Sequence, residues 1–379
     1  MKRTLGDPVI KFFISVVGIV LISIVLKELQ HIFIPFVVAY FLYFIFEPLN
    51  KFLAKWKFPS TLSMVIDIFI VITIVWGLSR ILIDAFGKFG QELPQYEIKL
   101  NNIISTTAAS FGITDSMLTN FNLSEILQTL DYGGLASGFF SSTISIFSSV
   151  FFVLFFFIFI SSGHNKIYDV IKTRYVAKNT KASLKKMKKK NIQLGTEDRA
   201  EISRDNIEKI QQERTVKIEK TFKDIIEQVQ RYIATKFLIS LTTGVLVGFT
   251  LWLFDVRFFV LWGFLTLILN FIPNIGSVLA VILPTLMVLV QFESFGYALL
   301  VASIIAVIQN VIGNIIEPKI FGDRLGLNPI VILMSLLIWG YIWGVIGMIL
   351  SVPLTAIIKL VISNSNSKNL KFMSELMSN

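Results

Sequence analysis

Apolar residues dominate eight stretches of the chain, and polar residues separate these stretches. The apolar stretches lie at about 9–26, 32–46, 61–83, 142–161, 232–254, 258–290, 295–316 and 329–361. A helix needs about 20 apolar residues to cross a hydrocarbon core of about 30 Å, so most of the stretches are long enough to span a membrane. The pattern predicts an all-α, polytopic membrane protein with about eight transmembrane segments.

Two of these stretches, 258–290 and 329–361, are too long for a single straight span. Each holds 33 residues, which as one helix would extend about 50 Å. Both also contain helix breakers: Pro273, Asn274, Gly276 and Pro284 in the first, and Gly340, Gly344, Gly347 and Pro353 in the second. We predict that both form broken or re-entrant hairpins, which the single span 295–316 would place on opposite faces of the membrane.

Broken helices within a membrane predict a site, because freed backbone groups are tolerated only where protein buries them or where they line a polar cavity. The predicted substrate or ion pathway therefore contains Asn270, Pro273, Asn274, Gly276, Gln309, Asn310, Asn314, Glu317, Gly344, Gly347 and Pro353. The alternatives are a proline kink that only shapes helix packing, and interhelical hydrogen bonds between the amide side chains of 309–314.

Asp67 is the one carboxylate well inside an apolar stretch, in "SMVIDIFIVI". An acid within the membrane is a candidate coupling group for an ion or a proton. The alternative, which the sequence favours slightly, is a helix that begins near Ile66 and leaves the acid at the membrane interface.

The composition excludes several kinds of catalytic and metal site. Of 379 residues, 54% are hydrophobic, 35 are Phe, none is Cys and two are His. The lack of cysteine excludes disulfides, thiol catalysis and Cys-ligated zinc. Because the chain also has no paired metal ligands, catalytic triad motif or phosphate-binding loop, we expect no enzyme activity, no catalytic residues, no metal and no cofactor.

Charge predicts the orientation. Residues 84–140 hold two basic and six acidic side chains, whereas residues 162–231 hold 18 basic and 10 acidic ones. The excess of Lys and Arg on cytoplasmic loops puts the second region, and with it both termini, in the cytoplasm. The predicted regions are a three-span region (1–83), an extracytoplasmic amphipathic helical region (84–140), a fourth span (141–161), a basic cytoplasmic insert (162–231), a transport core (232–361) and a cytoplasmic tail (362–379).

The insert carries the lysine run "KASLKKMKKK" at 181–190. Such a run is typical of a surface for anionic lipid headgroups, or of a solvated loop that only follows the orientation rule. No nucleic-acid partner is expected, since aromatic residues are not interleaved with the lysines.

The segments "LILNFIPNIGSVLAVILPTLMVL" and "VIQNVIGNIIEPKIFGDRLGLNPIVILMSLLIWGYIWGVIGMILSVPLTAIIKL" resemble the AI-2E family of bacterial transporters, named for export of the signal autoinducer-2. The characteristic positions are Pro273, Gly276, Glu317, Pro318, Lys319, Gly322, Leu325–Leu327, Pro329, Gly344, Gly347 and Pro353. The resemblance implies an eight-segment inner-membrane transporter, a homo-oligomer such as a pentamer, and as substrate either autoinducer-2-like molecules or sodium exchanged for protons. The chain departs from the family at "SSGHNK", where an acid usually follows the fourth span, and in its longer lysine-rich insert.

Three functions stay open on the sequence alone. The first is a secondary transporter of a small polar solute, and the second a sodium/proton antiporter with Asp67, Glu47 or Glu317 as the titrating group. The third is a membrane scaffold whose insert recruits a partner. The broken segments favour transport, because a scaffold does not need them.

Overall fold

A computed structural model describes residues 8–110, 148–163, 199–321, 327–363 and 368–378. These residues form helices. One isolated antiparallel β-bridge pairs Leu327 with Ser378. The helices are α1 (Pro8–Glu28), α2 (Gln30–Lys55), α3 (Ser60–Ser110), α4 (Ser148–Gly163), α5 (Arg199–Leu253), α6 (Phe259–Leu269), α7 (Ile275–Phe292), α8 (Phe295–Asn310), α9 (Glu317–Phe321), α10 (Pro329–Ser363) and α11 (Lys368–Leu376). The all-α fold class is confirmed.

The described residues contain six helical segments that are long and apolar enough to cross a membrane. They are Gln30–Lys55, Ser60–Glu92, Ile226–Leu253, Ile275–Phe292, Phe295–Ile320 and Pro329–Ser363. Two further apolar helices, α4 and α6, are shorter. The polytopic architecture is thus confirmed, while a total of eight spans stays a prediction.

Helices α2, α3 and α4 pack together at the amino-terminal side of the molecule. Their shared core contains Ala39 and Phe46 of α2, Val71 of α3, and Phe157 and Ile160 of α4. Helix α3 continues beyond the apolar stretch 61–83, as far as Ser110. Its 51 residues make it about 77 Å long, far longer than a membrane is thick. Residues 111–140 of the predicted amphipathic region and the lysine run at 181–190 lie outside the described residues.

Helix α5 joins the charged segment before the fifth span to the span itself, as one helix of 55 residues. Its apolar half lies directly against α6. Gly244, Gly248 and Gly263 make this possible: a Cβ on Gly244 would lie 2.6 Å from the Gly263 carbonyl oxygen. Gly244 and Gly248, which are four residues apart, thus allow a close helix crossing.

The stretch 258–290 forms a helical hairpin, which we call hairpin 1 (α6 and α7). Its two ends meet, because the Gln291 side chain donates to the Asp255 carbonyl oxygen at 2.7 Å and accepts from the Arg257 amide at 2.8 Å. Salt bridges from Arg257 to Glu92 (2.6 Å) and from Glu293 to Lys99 (2.8 Å) fix these ends to α3. We call this end of the molecule the Arg257 end.

Helix α10 forms the second hairpin, hairpin 2, because its backbone leaves the helical conformation at Trp343 and Gly344. The indole nitrogen of Trp343, at the tip, donates to the Leu26 carbonyl oxygen of α1 at 3.0 Å. Between the arms, Trp339 donates to the Thr355 hydroxyl at 3.2 Å. Both predicted breaks are therefore present in the structure.

The two hairpins point in opposite directions. The ends of hairpin 1 lie at the Arg257 end, so its tip lies about 17 Å away along α6, beside Ser240 of α5. The base of hairpin 2 packs near Tyr232 of α5, in a cluster with Leu327 and Val352. Its tip reaches back to the junction of α1 and α2. This antiparallel arrangement is that of an inverted repeat.

Candidate functional site

The tip of hairpin 1 is a tight turn between α6 and α7. The amide of Ile275 donates to the Pro273 carbonyl oxygen at 2.6 Å, and Asn274 between them has φ 60° and ψ −55°. These values define a γ-turn with a positive central φ, a rare and strained form. Proline fits the position before the turn because the tip needs no amide donor there.

Gly276 lets the two arms of hairpin 1 meet directly behind this turn. A Cβ at this position would overlap the carbonyl group of Leu269, the last residue of α6. The equivalent position in hairpin 2 is Gly347, whose Cβ would overlap the Trp339 carbonyl group. Each glycine follows an isoleucine, Ile275 or Ile346, so the two breaks share both a dipeptide and a packing geometry.

The tip is tied to α5 by a buried hydrogen bond. Asn270, 8% exposed, donates its side-chain amide to the Ser240 hydroxyl at 3.2 Å, and Ser240 is fully buried. Asn270 therefore fixes the turn against the fifth span. Burial of an amide in an apolar protein is favourable only with such a partner.

Helix α8 presents a row of amide side chains to the same region. Gln309 is 6% exposed, and its Nε2 has no hydrogen-bond partner. Asn310 donates to the Ala306 carbonyl oxygen at 2.8 Å, and Asn314 donates to Asn310 Oδ1 at 2.9 Å. A π-helical turn, Val311–Ile316, follows immediately. Such turns interrupt the regular α-helix and are frequent at functional sites.

A buried ion pair completes the site. The ammonium of Lys236 on α5 donates to Glu317 Oε1 at 2.6 Å, with the two side chains 9% and 23% exposed. Glu317 was predicted from the sequence and Lys236 was not. The signal was present, since Lys236 is the one charged residue of the apolar stretch 232–254, and an ionisable residue inside a span marks a functional site by default.

These groups line one cavity of about 620 Å³ at the tip of hairpin 1. Its walls come from α5, hairpin 1, α8 with its π-turn, and the base of hairpin 2. Seven of the predicted pathway residues line it: Asn270, Pro273, Asn274, Gln309, Asn310, Asn314 and Glu317. Its volume is within the usual range for a small-molecule site, roughly 300 to 1,000 Å³.

The structure does not bring the remaining predicted residues to this cavity. Gly276 lies behind the turn, and Gly344 and Gly347 lie at the tip of hairpin 2, near α1 and α2. Pro353 is buried in the second arm of hairpin 2, next to Val352, which does line the cavity. Gly276, Gly344 and Gly347 therefore belong to the two breaks and not to the lining of this cavity.

Asp67 is separate from the cavity and fully buried between α2 and α3. The expected start of its helix near Ile66 is wrong, because α3 begins at Ser60. The position of Asp67 relative to the membrane interface stays a prediction. Asn50 donates to Asp67 Oδ2 at 2.8 Å, while Asp67 Oδ1 and Asn50 Oδ1 have no partner. A buried carboxylate with one neutral donor is costly to keep charged.

At the Arg257 end, a polar cluster holds the base of hairpin 1 to α3. The phenol of Tyr96 donates to the Glu92 carboxylate, which also accepts from Arg257 at 2.6 Å. Burial and the neighbouring carboxylate raise the pKa of Tyr96, so the phenol stays protonated as a donor. The ion pairs to α3 thereby anchor the base of hairpin 1, which is the end opposite to its tip.

Comparison with known proteins agrees with this architecture. The family model described as AI-2E family transporter matches residues 12–193 and 199–367. The chain belongs to the AI-2E transporter family. The matched ranges contain both hairpins, α8 and the segment that carries Glu317, so the cavity is built wholly within the part that the family shares.

Individual AI-2E relatives cover most of the chain. The AI-2 transport protein TqsA of Escherichia coli K12 is 30% identical over 359 residues, which are 94% of this chain and 92% of TqsA. A Haemophilus influenzae protein named as a candidate transport protein is 28% identical over 354 residues, 93% of this chain and 92% of its own length. YhhT of E. coli K12, also named as a candidate transport protein, is 44% identical over 135 residues, 36% of this chain and 38% of YhhT. The protein is thus a multi-pass membrane transporter from a family of transport proteins rather than enzymes.

Proposed function

We propose that the protein is a secondary transporter that exports or exchanges a small polar solute, of the autoinducer-2 type, through the cavity at the tip of hairpin 1. The observation that carries this proposal is the convergence of polar side chains from three separate elements on one cavity. A buried amide donor without a partner, Gln309 Nε2, supports a bound polar solute because such a group costs free energy unless a ligand satisfies it.

We further propose that the protein lies in the bacterial inner membrane with both termini in the cytoplasm, and that it works as a homo-oligomer, the pentamer that the family resemblance implies. The excess of basic residues in 162–231 supports the orientation. Large apolar side chains are exposed along α1 and α3, among them Phe13, Ile22 and Phe69, which suits contact with lipid or with other copies.

Transport through this cavity can be tested in liposomes. Purified protein is reconstituted, autoinducer-2 is enclosed, and its release is followed for the wild type and for Gln309→Leu. The variant removes the buried amide from the cavity, so we expect it to lose most of the release. Ser303→Ala is the matched control, because Ser303 is an exposed hydroxyl of the same helix that bonds only its own turn, at Leu299. Equal release by all three proteins would contradict the proposal.

A sodium/proton antiporter is the second candidate, and the buried carboxylate of Asp67 is the observation that favours it. An antiporter needs a group that takes up a proton or a cation in turn. Liposomes that hold a pH-sensitive dye and face a sodium gradient test this function. A dye response in the wild type that Asp67→Asn abolishes would support exchange through Asp67, and no response in the wild type would exclude the antiporter.

A further inference from the structure

The described residues around the cavity at the tip of hairpin 1 carry one positive and one negative charge. Among the described residues that line it, Lys236 and Glu317 are the two charged ones, and they pair with each other at 2.6 Å. A buried pair of this kind is costly to form from two hydrated groups, and hydrophobic residues of similar volume often replace it without loss of stability. A role in binding gives a reason for its presence.

Two side chains beside this cavity, Lys236 and Gln309, can donate further hydrogen bonds to a ligand. An ammonium carries three N–H groups, and one of those of Lys236 donates to Glu317. Gln309 adds an amide whose Nε2 has no acceptor. A ligand that satisfies these groups must bring acceptor atoms, and carboxylate or phosphate oxygens are the strongest acceptors for an ammonium.

We propose that Lys236 is the docking point for an anionic group of the transported solute, and that Glu317 occupies that point when no solute is bound. This inference rests on the proposed transport function and adds the chemical class of the solute. Glu317 follows the π-turn directly, so a shift of that turn by one residue rotates the carboxylate by about 100° around the helix axis and releases Lys236.

Gln309 provides a second contact point for the solute. Gln309 and Glu317 lie on the same chain segment, which places them about 12 Å apart along the helix axis. A solute that contacts both side chains therefore needs an anionic group for Lys236 and a second polar group for Gln309, both of which line the cavity. A small organic anion with a second polar end meets this requirement.

A binding measurement with succinate tests the proposal without requiring transport. Wild-type protein and variants in lipid nanodiscs are unfolded thermally at rising sodium succinate, against sodium chloride at equal sodium. Glu317→Gln keeps the shape of the side chain but removes the competing charge. We expect it to reach its half-maximal midpoint shift at a succinate concentration roughly tenfold below that of the wild type. Lys236→Gln should show no succinate-dependent shift.

The matched control is Glu293→Gln. Glu293 also pairs with a lysine, Lys99, at 2.8 Å, but that pair lies at the Arg257 end, outside the cavity. Glu293→Gln should bind succinate as the wild type does. If Lys236→Gln does not fold, the double variant Lys236→Gln/Glu317→Gln replaces it, because this change leaves no unpaired charge.

Two results would overturn the proposal. One is that Glu317→Gln needs as much succinate as Glu293→Gln for its half-maximal midpoint shift. The other is that a variant without Lys236 still shows a succinate-dependent midpoint shift. The outcome is separable from that of the transport proposal. Succinate binding at Lys236 without release of any solute would retain the anion site and overturn transport. Release of autoinducer-2 that Gln309→Leu abolishes, with no succinate effect in any variant, would retain transport and overturn the anion site.

Discussion

The carbonyl oxygen of Leu269 lies against the Cα of Gly276, where the two arms of hairpin 1 meet. A Cβ on Gly276 would overlap this carbonyl group and lie 3.3 Å from the Cβ of Ile272. Backbone atoms cannot move aside as the end of a flexible side chain can. The shape of the turn at Asn274, and with it one wall of the cavity, therefore depends on the absence of a single methyl group.

Gly276→Ala should consequently destabilise the protein and impair transport. Forcing extra atoms into a packed site costs about 3 kcal/mol, and here the strain falls on the tip that forms the cavity. The measurement is the thermal unfolding midpoint together with solute release from liposomes. Gly296→Ala is the control, because a Cβ there would meet no atom within 4 Å. A Gly276→Ala protein with the midpoint of the control would contradict this packing.

Gly347→Ala should have the corresponding effect at the tip of hairpin 2. Its Cβ would overlap the Trp339 carbonyl group and lie 3.0 Å from the Cβ of Trp343. Because this tip packs on α1 through the bond from Trp343 to Leu26, we expect the unfolding midpoint to fall as for Gly276→Ala. The matched control is Gly18→Ala, whose Cβ would again have open space. A Gly347→Ala protein with the unfolding midpoint of the Gly18→Ala control would contradict this packing.

Much of this fold could be predicted from the sequence. The lengths of the apolar stretches, with Pro273 and Gly344 near the middle of two of them, predicted both breaks because a span is limited by the membrane thickness. The amides at 309–314 and the asparagines of the first break also line one cavity, although their role in transport stays a prediction.

The rest depends on tertiary packing that no local pattern contains. Lys236 and Glu317 are 81 residues apart, and nothing in either neighbourhood indicates that they pair. The length of α3 could not be predicted either, because hydropathy marks only the apolar stretch 61–83, whereas the helix continues to Ser110. Likewise, Gly344 and Gly347 share the chemistry of the first break, but the inverted direction of hairpin 2 takes them to another part of the molecule.

Substitution can distinguish the role of the Asn274 backbone from the role of its side chain. Its φ of 60° costs an L-residue roughly 1 to 2 kcal/mol, a cost that glycine avoids. Asn274→Gly should therefore keep or raise the unfolding midpoint, whereas Asn274→Ala should lower it. If the carboxamide contacts the solute in the cavity, both variants lose solute release, and normal release by Asn274→Gly would assign Asn274 to the turn alone.

Asp67→Asn should stabilise the protein. In the wild type, the carboxylate receives one hydrogen bond, from Asn50, and both Asp67 Oδ1 and Asn50 Oδ1 are buried without a partner. An asparagine at 67 keeps an acceptor for Asn50, adds an amide donor beside Asn50, whose Oδ1 lacks a partner, and removes a buried charge. Satisfying such groups contributes about 1 to 3 kcal/mol. We expect a higher unfolding midpoint for Asp67→Asn, but none for Asp84→Asn, where the acid is exposed and paired with Lys88 at 2.8 Å. A fall in the unfolding midpoint would contradict this prediction. If added sodium then raised the midpoint of the wild type but not that of Asp67→Asn, the wild-type carboxylate would hold a cation that asparagine cannot.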